Sequence, residues 1–239
     1  MDAETADKLM ELNRQFYQTF GAEFSATRGR LQPGVRRVLD NLDGSERILD
    51  LGCGNGNFAR ELATRGQRGT YRGLDFSLPL LQAAESGLEG FSATFRQSDI
   101  TSLGWDSALD ASSFDLVFAF AVLHHIPGEE VRLRLLQKIH RLLKPGGRFV
   151  LSNWQFLNSD RLKARIQDWE KAGLAPAQVD EGDYLLDWRA GGSGLRYVHH
   201  YSEAELNALA TTTQFQVIES FHSDGQNHKL GLYQVWEVQ

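Results

Sequence analysis

Short apolar runs alternate with amphipathic stretches through the middle of the chain. The strands that this pattern predicts cover residues 47–51, 69–75, 93–97, 114–121 and 148–152, and the helices cover residues 78–86 and 129–143. The run Phe114–Ala121 is almost continuously apolar, which is typical of a parallel strand buried on both faces. This alternation predicts a doubly wound α/β sheet.

The flanks of this alternating region have different patterns. Apolar residues recur every three or four positions near the N-terminus, which predicts helices within residues 1–45. Residues 215–221 and 230–238 are separated by a short polar stretch, so we expect these two strands to form an antiparallel hairpin. Residues 155–200 fit the alternation poorly. We therefore expect one domain with a core at 46–152, an N-terminal helical cap at 1–45 and a substrate-side insertion at 155–200.

Composition narrows the class of protein. The 239 residues are 41% hydrophobic and 23% charged, which is ordinary for a globular domain. A net charge of −6 disfavours a strongly cationic nucleic-acid binder, although it leaves room for a local basic patch. The single cysteine, Cys53, excludes a disulfide framework or a thiolate metal cluster, and we expect no metal site. Without an apolar span or a signal-like N-terminus, we expect a cytoplasmic protein and no membrane partner.

The strongest chemical signal is the glycine-rich loop after the first predicted strand, Asp50-Leu51-Gly52-Cys53-Gly54-Asn55-Gly56. Such a loop lets a ligand approach the backbone closely. A nicotinamide fingerprint would need glycine at position 57, where Asn57 stands. The carboxylate of Asp50 would repel a pyrophosphate but can accept a hydrogen bond from an ammonium group. The loop therefore favours a cationic, phosphate-free ligand such as S-adenosylmethionine.

Further polar signals follow the next predicted strands. Asp75 ends the second strand, where a carboxylate can bind both hydroxyls of a ribose. Asp99 follows the third strand and can accept the adenine amino proton, while Ile100 can pack on the ring. Small and aromatic residues end the fourth strand and leave room for the methionine portion and an acceptor. The remaining candidate cofactor residues in these loops are Phe76, Ser77, Phe120 and Ala121.

Taken in order, these motifs resemble the class I S-adenosylmethionine-dependent methyltransferases. The matching segments are DLGCGNG, GLDFS, QSDI, FDLVFAFAVLHHI and LLKPGGRFVLS, within residues 46–152. The resemblance implies a mostly parallel seven-stranded Rossmann-like sheet whose last strand is antiparallel, which agrees with the predicted hairpin.

The flanks resemble a narrower family, the eukaryotic tRNA methyltransferases that esterify carboxymethyluridine at the wobble position. The similar segments are FSATR at 24–28, DYLLDW at 183–188 and RYVHHYSEAEL at 196–206. The resemblance implies a tRNA partner and a carboxylate acceptor, which guanidinium groups can orient because their planar fork matches a carboxylate. The candidate acceptor-side or catalytic residues are Arg28, His124, His125, Arg196 and His199.

Other interpretations remain open from the sequence. A small-molecule O- or C-methyltransferase would use residues 155–200 as a lid, and the acidic net charge favours it unless an activating partner subunit supplies the tRNA surface. A non-catalytic cofactor-binding or scaffold subunit is disfavoured by the intact Asp50, Asp75 and Asp99. A basic run along the helix at 129–143 and just beyond it is either a phosphate-binding face or, as we favour, a solvated helix face. It comprises Arg132, Arg134, Lys138, Arg141, Lys144 and Arg148.

Overall fold

A computed structural model describes residues 1–26, 29–189 and 192–239. Its main sheet has seven strands in the order β3-β2-β1-β4-β5-β10-β9. The strands are β1 Arg47–Leu51, β2 Thr70–Asp75, β3 Ser92–Gln97, β4 Phe114–Phe120, β5 Leu143–Trp154, β9 Phe215–Ser223 and β10 Gly231–Val238. The first five pair in parallel, and β10 lies antiparallel between β5 and β9. The predicted sheet and its antiparallel last strand are confirmed.

Helices cover both faces of the sheet, as the buried pattern of β4 requires. The helices are α1 Ala3–Ala26, α2 Pro33–Leu39, α3 Asn57–Thr64, α4 Leu78–Ala84, α5 Glu129–Leu142, α6 Asp160–Lys163 and α7 Glu203–Thr212. Apolar side chains of α2, α3 and α4 form one buried cluster with the sheet, and those of α5 and α7 form another. Among the described residues, no helix combines the length and apolar character needed to cross a membrane.

Residues 155–200 build a structure that the sequence pattern does not reveal. A second, antiparallel sheet has the order β6-β7-β8, with β6 at Ile166–Gln167, β7 at Asp183–Trp188 and β8 at Gly194–His199. Helix α1 packs on β8, where the side-chain amide of Asn13 donates to the carbonyl of Tyr197 and accepts from its N–H. The predicted N-terminal cap and the predicted insertion therefore pack against each other.

Two strand boundaries differ from the sequence prediction. Strand β4 ends at Phe120, and Ala121 takes a left-handed backbone conformation with φ of 57°. Strand β5 begins at Leu143, so it includes the Pro145-Gly146-Gly147 segment expected to separate helix from strand. The pairing of β4 with β5 is irregular between Phe114 and Leu116, which accommodates that segment.

Candidate active site

A cavity of about 500 Å³ opens at the carboxyl ends of β1, β2, β4 and β5. This edge of an open α/β sheet is where ligands ordinarily bind, and the volume lies within the usual range for a small-molecule site. The sequence-predicted residues that line it are Asp50, Gly52, Gly54, Asp75, Phe76, Asp99, Ile100, Phe120, Ala121, His124, His125 and Arg196. The fold thus brings Arg196 together with most of the candidates from residues 50–125.

The glycine loop is shaped by three left-handed backbone positions, Gly52, Gly54 and Gly56. Gly52 has φ of 70°, and a Cβ atom there would lie 2.5 Å from Val122 Cγ2. Gly54 has φ of 55°, but the space beyond it holds no described atom within 4 Å. Only glycine adopts this conformation readily. The backbone at Gly54 therefore remains accessible to a ligand in the cavity.

Asp50 is buried at the end of β1, beside the loop. The hydroxyl of Tyr71 donates to its Oδ2 atom at 2.5 Å. Burial, opposed by the Tyr71 hydrogen bond and aided by the charge of Asp75, raises the pKa of Asp50 to about 7. A cationic group in the cavity would stabilise the ionised form of Asp50.

Asp75 connects the glycine loop to the start of α4. Its Oδ2 atom accepts from the N–H of Gly54 at 2.9 Å, and its Oδ1 atom accepts from the N–H of Ser77 at 2.9 Å. Burial raises the pKa of Asp75, and these backbone donors partly offset that effect. The carboxylate is thereby held at the cavity wall in one orientation.

Asp99 joins the third strand's loop to the N-terminal helix. Its Oδ2 atom pairs with Arg14 on α1 at 2.7 Å, and its Oδ1 atom accepts from the N–H and hydroxyl of Thr101. Partial burial favours a higher pKa for Asp99, but the hydrogen bonds from Thr101 and Arg14 hold it below the usual value. Helix α1 is thus fixed over the part of the cavity where an adenine ring is expected.

These features fit S-adenosylmethionine in its chemical groups. The open backbone at Gly54 admits close approach, Asp75 and Asp99 offer acceptors for hydroxyl and amino protons, and Asp50 offers an anion for the ammonium group. Phe76 and Ile100 add apolar surface to the same wall. This combination of carboxylate acceptors, open backbone and apolar surface therefore suits a cationic nucleoside without phosphates.

On the acceptor side, His125 and Tyr17 form a directional hydrogen-bonded pair. The Nδ1 atom of His125 lies 3.2 Å from the carbonyl oxygen of Tyr197, which only accepts, so Nδ1 carries the proton. The Nε2 atom then accepts from the Tyr17 hydroxyl at 2.7 Å. The neighbouring His124 is buried, and its Nδ1 atom accepts from the N–H of Trp154 at 3.3 Å.

Arg196 projects from β8 to the cavity wall and is 5% exposed. Its guanidinium lies over the ring of Trp154 at 4.8 Å and near the rings of Phe16 and Trp188. Burial lowers the pKa of Arg196, while a hydrogen bond with Tyr17 raises it. An arginine keeps its proton at neutral pH, so the cavity contains a fixed positive charge held by aromatic faces.

Several predicted residues lie elsewhere. Gly56 precedes α3, and Ser77 precedes α4 with its side chain buried, and neither lines the cavity. His199 is held between Asp183 and Glu205, 2.6 Å and 2.7 Å from its two ring nitrogens, so the structure does not bring it to the cavity. Arg28 lies outside the described residues.

The basic run on α5 and β5 does not form a free phosphate-binding face. Arg132 is buried and donates to Ile126 and Tyr197, while Arg134 donates to the carbonyl of Thr101. Arg132 also pairs with Asp183 and Glu205, and the four others pair with carboxylates: Lys138 and Arg141 with Asp106, Lys144 with Asp115, and Arg148 with Glu237. These acids are distant in sequence, so the sequence alone suggested an unbalanced charge.

Sequence reasoning missed the contribution of α1 and of the β9–β10 loop. The missed cavity residues include Asn13, Arg14, Tyr17, Arg30, Trp154, Asp224 and Tyr233. The sequence did contain a signal for α1, because Asn13, Arg14 and Tyr17 interrupt an apolar stripe at helical spacing. The sequence contained no signal for Asp224, because this residue joins the cavity wall through contacts made only in the folded chain. It accepts from the N–H of Gly34 and from the hydroxyl of Tyr233.

Comparison with known proteins gives a consistent picture. Residues 42–205 match the family model described as a methyltransferase domain. An Encephalitozoon cuniculi protein that carries the name of a methyltransferase is 33% identical over 208 residues, which cover 86% of this chain and 87% of that protein. The tRNA (carboxymethyluridine(34)-5-O)-methyltransferase of Arabidopsis thaliana is 30% identical over 58% of this chain, which spans 31% of that longer protein. The 27-O-demethylrifamycin SV methyltransferase of Amycolatopsis mediterranei is 29% identical over 63% of this chain and 58% of its own length.

Solved structures agree with these matches. An S-adenosylmethionine-dependent methyltransferase from Methanosarcina mazei has a TM-score of 0.67 and 25% identity, covering 87% of this chain and 98% of its own. A chain from a complex with the Haloferax volcanii Trm112 methyltransferase activator also has a TM-score of 0.67, at 17% identity, covering 93% of this chain and 95% of its own. The second likeness concerns the fold alone.

Proposed function

This chain belongs to the family of S-adenosylmethionine-dependent methyltransferases, and from that premise we propose that its acceptor is the carboxylate of a modified wobble uridine in tRNA. The Arabidopsis relative carries that activity in its name. The observation that carries the proposal is Arg196, a buried cation at the cavity wall. A fixed positive charge in a partly apolar cavity attracts an anionic acceptor and disfavours a neutral one.

The same geometry supports an assignment of residues to the cofactor side of the cavity. We assign the ammonium group to Asp50, the ribose hydroxyls to Asp75 and the adenine amino group to Asp99. The cofactor supplies an electrophilic methyl group on a sulfonium centre. The remaining loop residues that line its pocket are Gly52, Gly54, Phe76, Ile100, Phe120 and Ala121, while Gly56 and Ser77 lie behind the loops, at the starts of α3 and α4.

Catalysis of carboxylate methylation needs orientation rather than proton removal. A carboxylate is ionised at neutral pH, so the chain must strip its water and hold one oxygen in line with the methyl group. Arg196 supplies a guanidinium whose position is set by three aromatic rings and by Tyr17. Overly strong pairing would weaken the nucleophile, and the low-polarity aromatic setting fixes the orientation of the guanidinium without adding further charge.

The test is methyl transfer to tRNA that bears 5-carboxymethyluridine at position 34, read by mass spectrometry of its nucleosides. We expect the methyl ester with the wild-type protein and a pH profile without a basic limb near a histidine pKa. Arg196→Lys keeps the charge but loses the planar fork, so kcat should fall about tenfold or more at saturating cofactor. His125→Gln, the matched control on the same wall, should retain the rate within about tenfold.

A small-molecule hydroxyl acceptor is the second candidate, favoured by the rifamycin relative and by the Tyr17–His125 pair. In that case an acceptor hydroxyl would lose its proton to the pair, with His125 Nε2 as the final base. A large effect of His125→Gln beside a small effect of Arg196→Lys would support this candidate and overturn the carboxylate proposal.

A partner subunit is a further part of the proposal. The Haloferax structure pairs a chain of this fold with a methyltransferase activator. We propose that a comparable activator raises the activity of this chain on tRNA. The assay above should therefore be run with the chain alone and with a co-purified activator, and equal rates in the two would refute the proposed activation.

A further inference from the structure

Four basic residues lie in segments at or next to the acceptor end of the cavity, and we refer to them as the cationic rim: Arg30, Arg161, Arg165 and Lys229. Arg30 is exposed and lines the cavity. Lys229 is exposed and directly precedes Leu230 and Gly231, which also line it. The rim thus begins at the cavity opening itself.

The other two rim residues are brought to this end by local packing. The side-chain amide of Asn158 donates to the carbonyl of Lys229 at 2.8 Å, which joins the β9–β10 loop to the segment before α6. Arg161 is exposed on α6, and Leu162 of that helix packs in the cluster that includes the cavity residue Trp154. Arg165 follows α6 and is close enough for its charge to act on Arg196.

The charge of the rim is largely unbalanced. Within residues 1–26, 29–189 and 192–239, none of its four members forms an ion pair with a carboxylate. Three acids of the same segments have other partners, because Asp160 pairs with Lys163, Asp187 with Arg189, and buried Asp224 accepts from Gly34 and Tyr233. By contrast, Lys138 and Arg141 of α5 and Lys144 and Arg148 of β5 all pair with acids.

We propose that the cationic rim binds the phosphate backbone of the RNA that presents its base to this cavity. The inference rests on the proposed function and locates its nucleic-acid surface. A chain of net charge −6 repels a polyanion at long range, so binding depends on a local cluster of unpaired cations. Backbone contacts position a nucleic acid, while the cavity selects the base.

The test is a pair of charge-reversal variants of equal net charge. Arg161→Glu with Lys229→Glu changes two rim residues that do not line the cavity. Arg47→Glu with Arg68→Glu is the control, because these exposed residues lie at the amino ends of β1 and β2, on the opposite edge of the sheet. Both proteins should keep the melting temperature and the cofactor Kd, measured by calorimetry, near those of the wild type.

Binding is then measured with bulk tRNA over a salt series. We expect the rim variant to raise the Kd about tenfold or more and to lower the slope of log K against log salt by about 1.5, since two phosphate contacts are lost. The control variant should change neither value appreciably. Equal losses in both variants, or no loss in the rim variant, would overturn the proposal, as would a wild-type protein that does not bind tRNA.

Failure of the rim and failure of the proposed function are distinguishable. Methyl transfer to free 5-carboxymethyluridine nucleoside tests the acceptor chemistry without a phosphate backbone. If the nucleoside is methylated and the rim variant binds tRNA as tightly as the wild type, the role proposed for the rim is refuted and the carboxylate acceptor is not. Rim-dependent tRNA binding without methyl transfer to the nucleoside or to modified tRNA supports the rim and refutes the carboxylate acceptor.

Discussion

Replacing Asp50 with asparagine should stabilise the fold and weaken cofactor binding at the same time. Asp50 is buried, and its pKa rises from 3.8 to about 7. Asparagine has nearly the same shape, and its side-chain oxygen can still accept the hydrogen bond from Tyr71. The substitution therefore removes mainly the cost of a buried negative charge.

The pH dependence follows from proton linkage. Between about pH 4 and pH 7 the folded state binds more protons at this site than the unfolded state, so stability falls as pH rises through that window. A shift of about three pKa units corresponds to about 4 kcal/mol above pH 7, as an upper bound. Asp50→Asn should remove this loss, and the variant should be up to about 4 kcal/mol more stable than the wild type at pH 8.

Cofactor affinity should move in the opposite direction. The positive ammonium group favours ionised Asp50, so wild-type affinity should rise with pH up to about 7. Losing a hydrogen bond to a charged group costs about 1.5–3 kcal/mol, which corresponds to a Kd increase of roughly tenfold to 150-fold.

The assays are urea unfolding from pH 4 to pH 8 and calorimetric titration with S-adenosylmethionine at each pH. Asp110→Asn is the control, because Asp110 is exposed on a loop. Parallel stability curves for the wild type and Asp50→Asn would refute the buried-charge reasoning. Unchanged cofactor affinity would remove Asp50 from the ammonium site.

Three other predictions follow from particular contacts. Gly54→Val should abolish measurable cofactor binding in a folded protein, because the side chain enters the cavity and φ of 55° strains it; calorimetry and circular dichroism check this. Arg14→Gln should weaken cofactor binding by about tenfold by freeing α1 from Asp99, and a normal Kd would contradict this. His199→Gln should cost about 2 kcal/mol of stability at pH 6, because it removes the charged donor between Asp183 and Glu205, while Tyr197 and Arg132 still hold Asp183. Burial lowers the pKa of His199, but hydrogen bonds with Asp183 and Glu205 raise it above the usual value. The contribution of His199 to stability is therefore complete below about pH 6.5 and is lost as pH rises through the folded-state pKa. An equal loss of stability in the variant at pH 6 and pH 9 would refute this reasoning.

The sequence by itself determined the central sheet and the cofactor end of the site. Strand periods, the glycine loop and the carboxylates that follow successive strands are local features. The carboxyl ends of parallel strands meet at one edge, so Asp50, Asp75 and Asp99 were expected to converge once a parallel sheet was predicted. The same local logic predicted the antiparallel hairpin.

Only the tertiary structure decided the acceptor end. Tyr17, His125 and Arg196 meet because α1 packs on β8, nearly 180 residues further along the chain. The tertiary structure also decided which cations form ion pairs. Cations on α5 pair with acids far away in sequence, whereas the four residues of the cationic rim form no ion pair within the described residues. Periodicity specifies which face of an element is buried, but the partner of a side chain depends on long-range packing that no local pattern encodes.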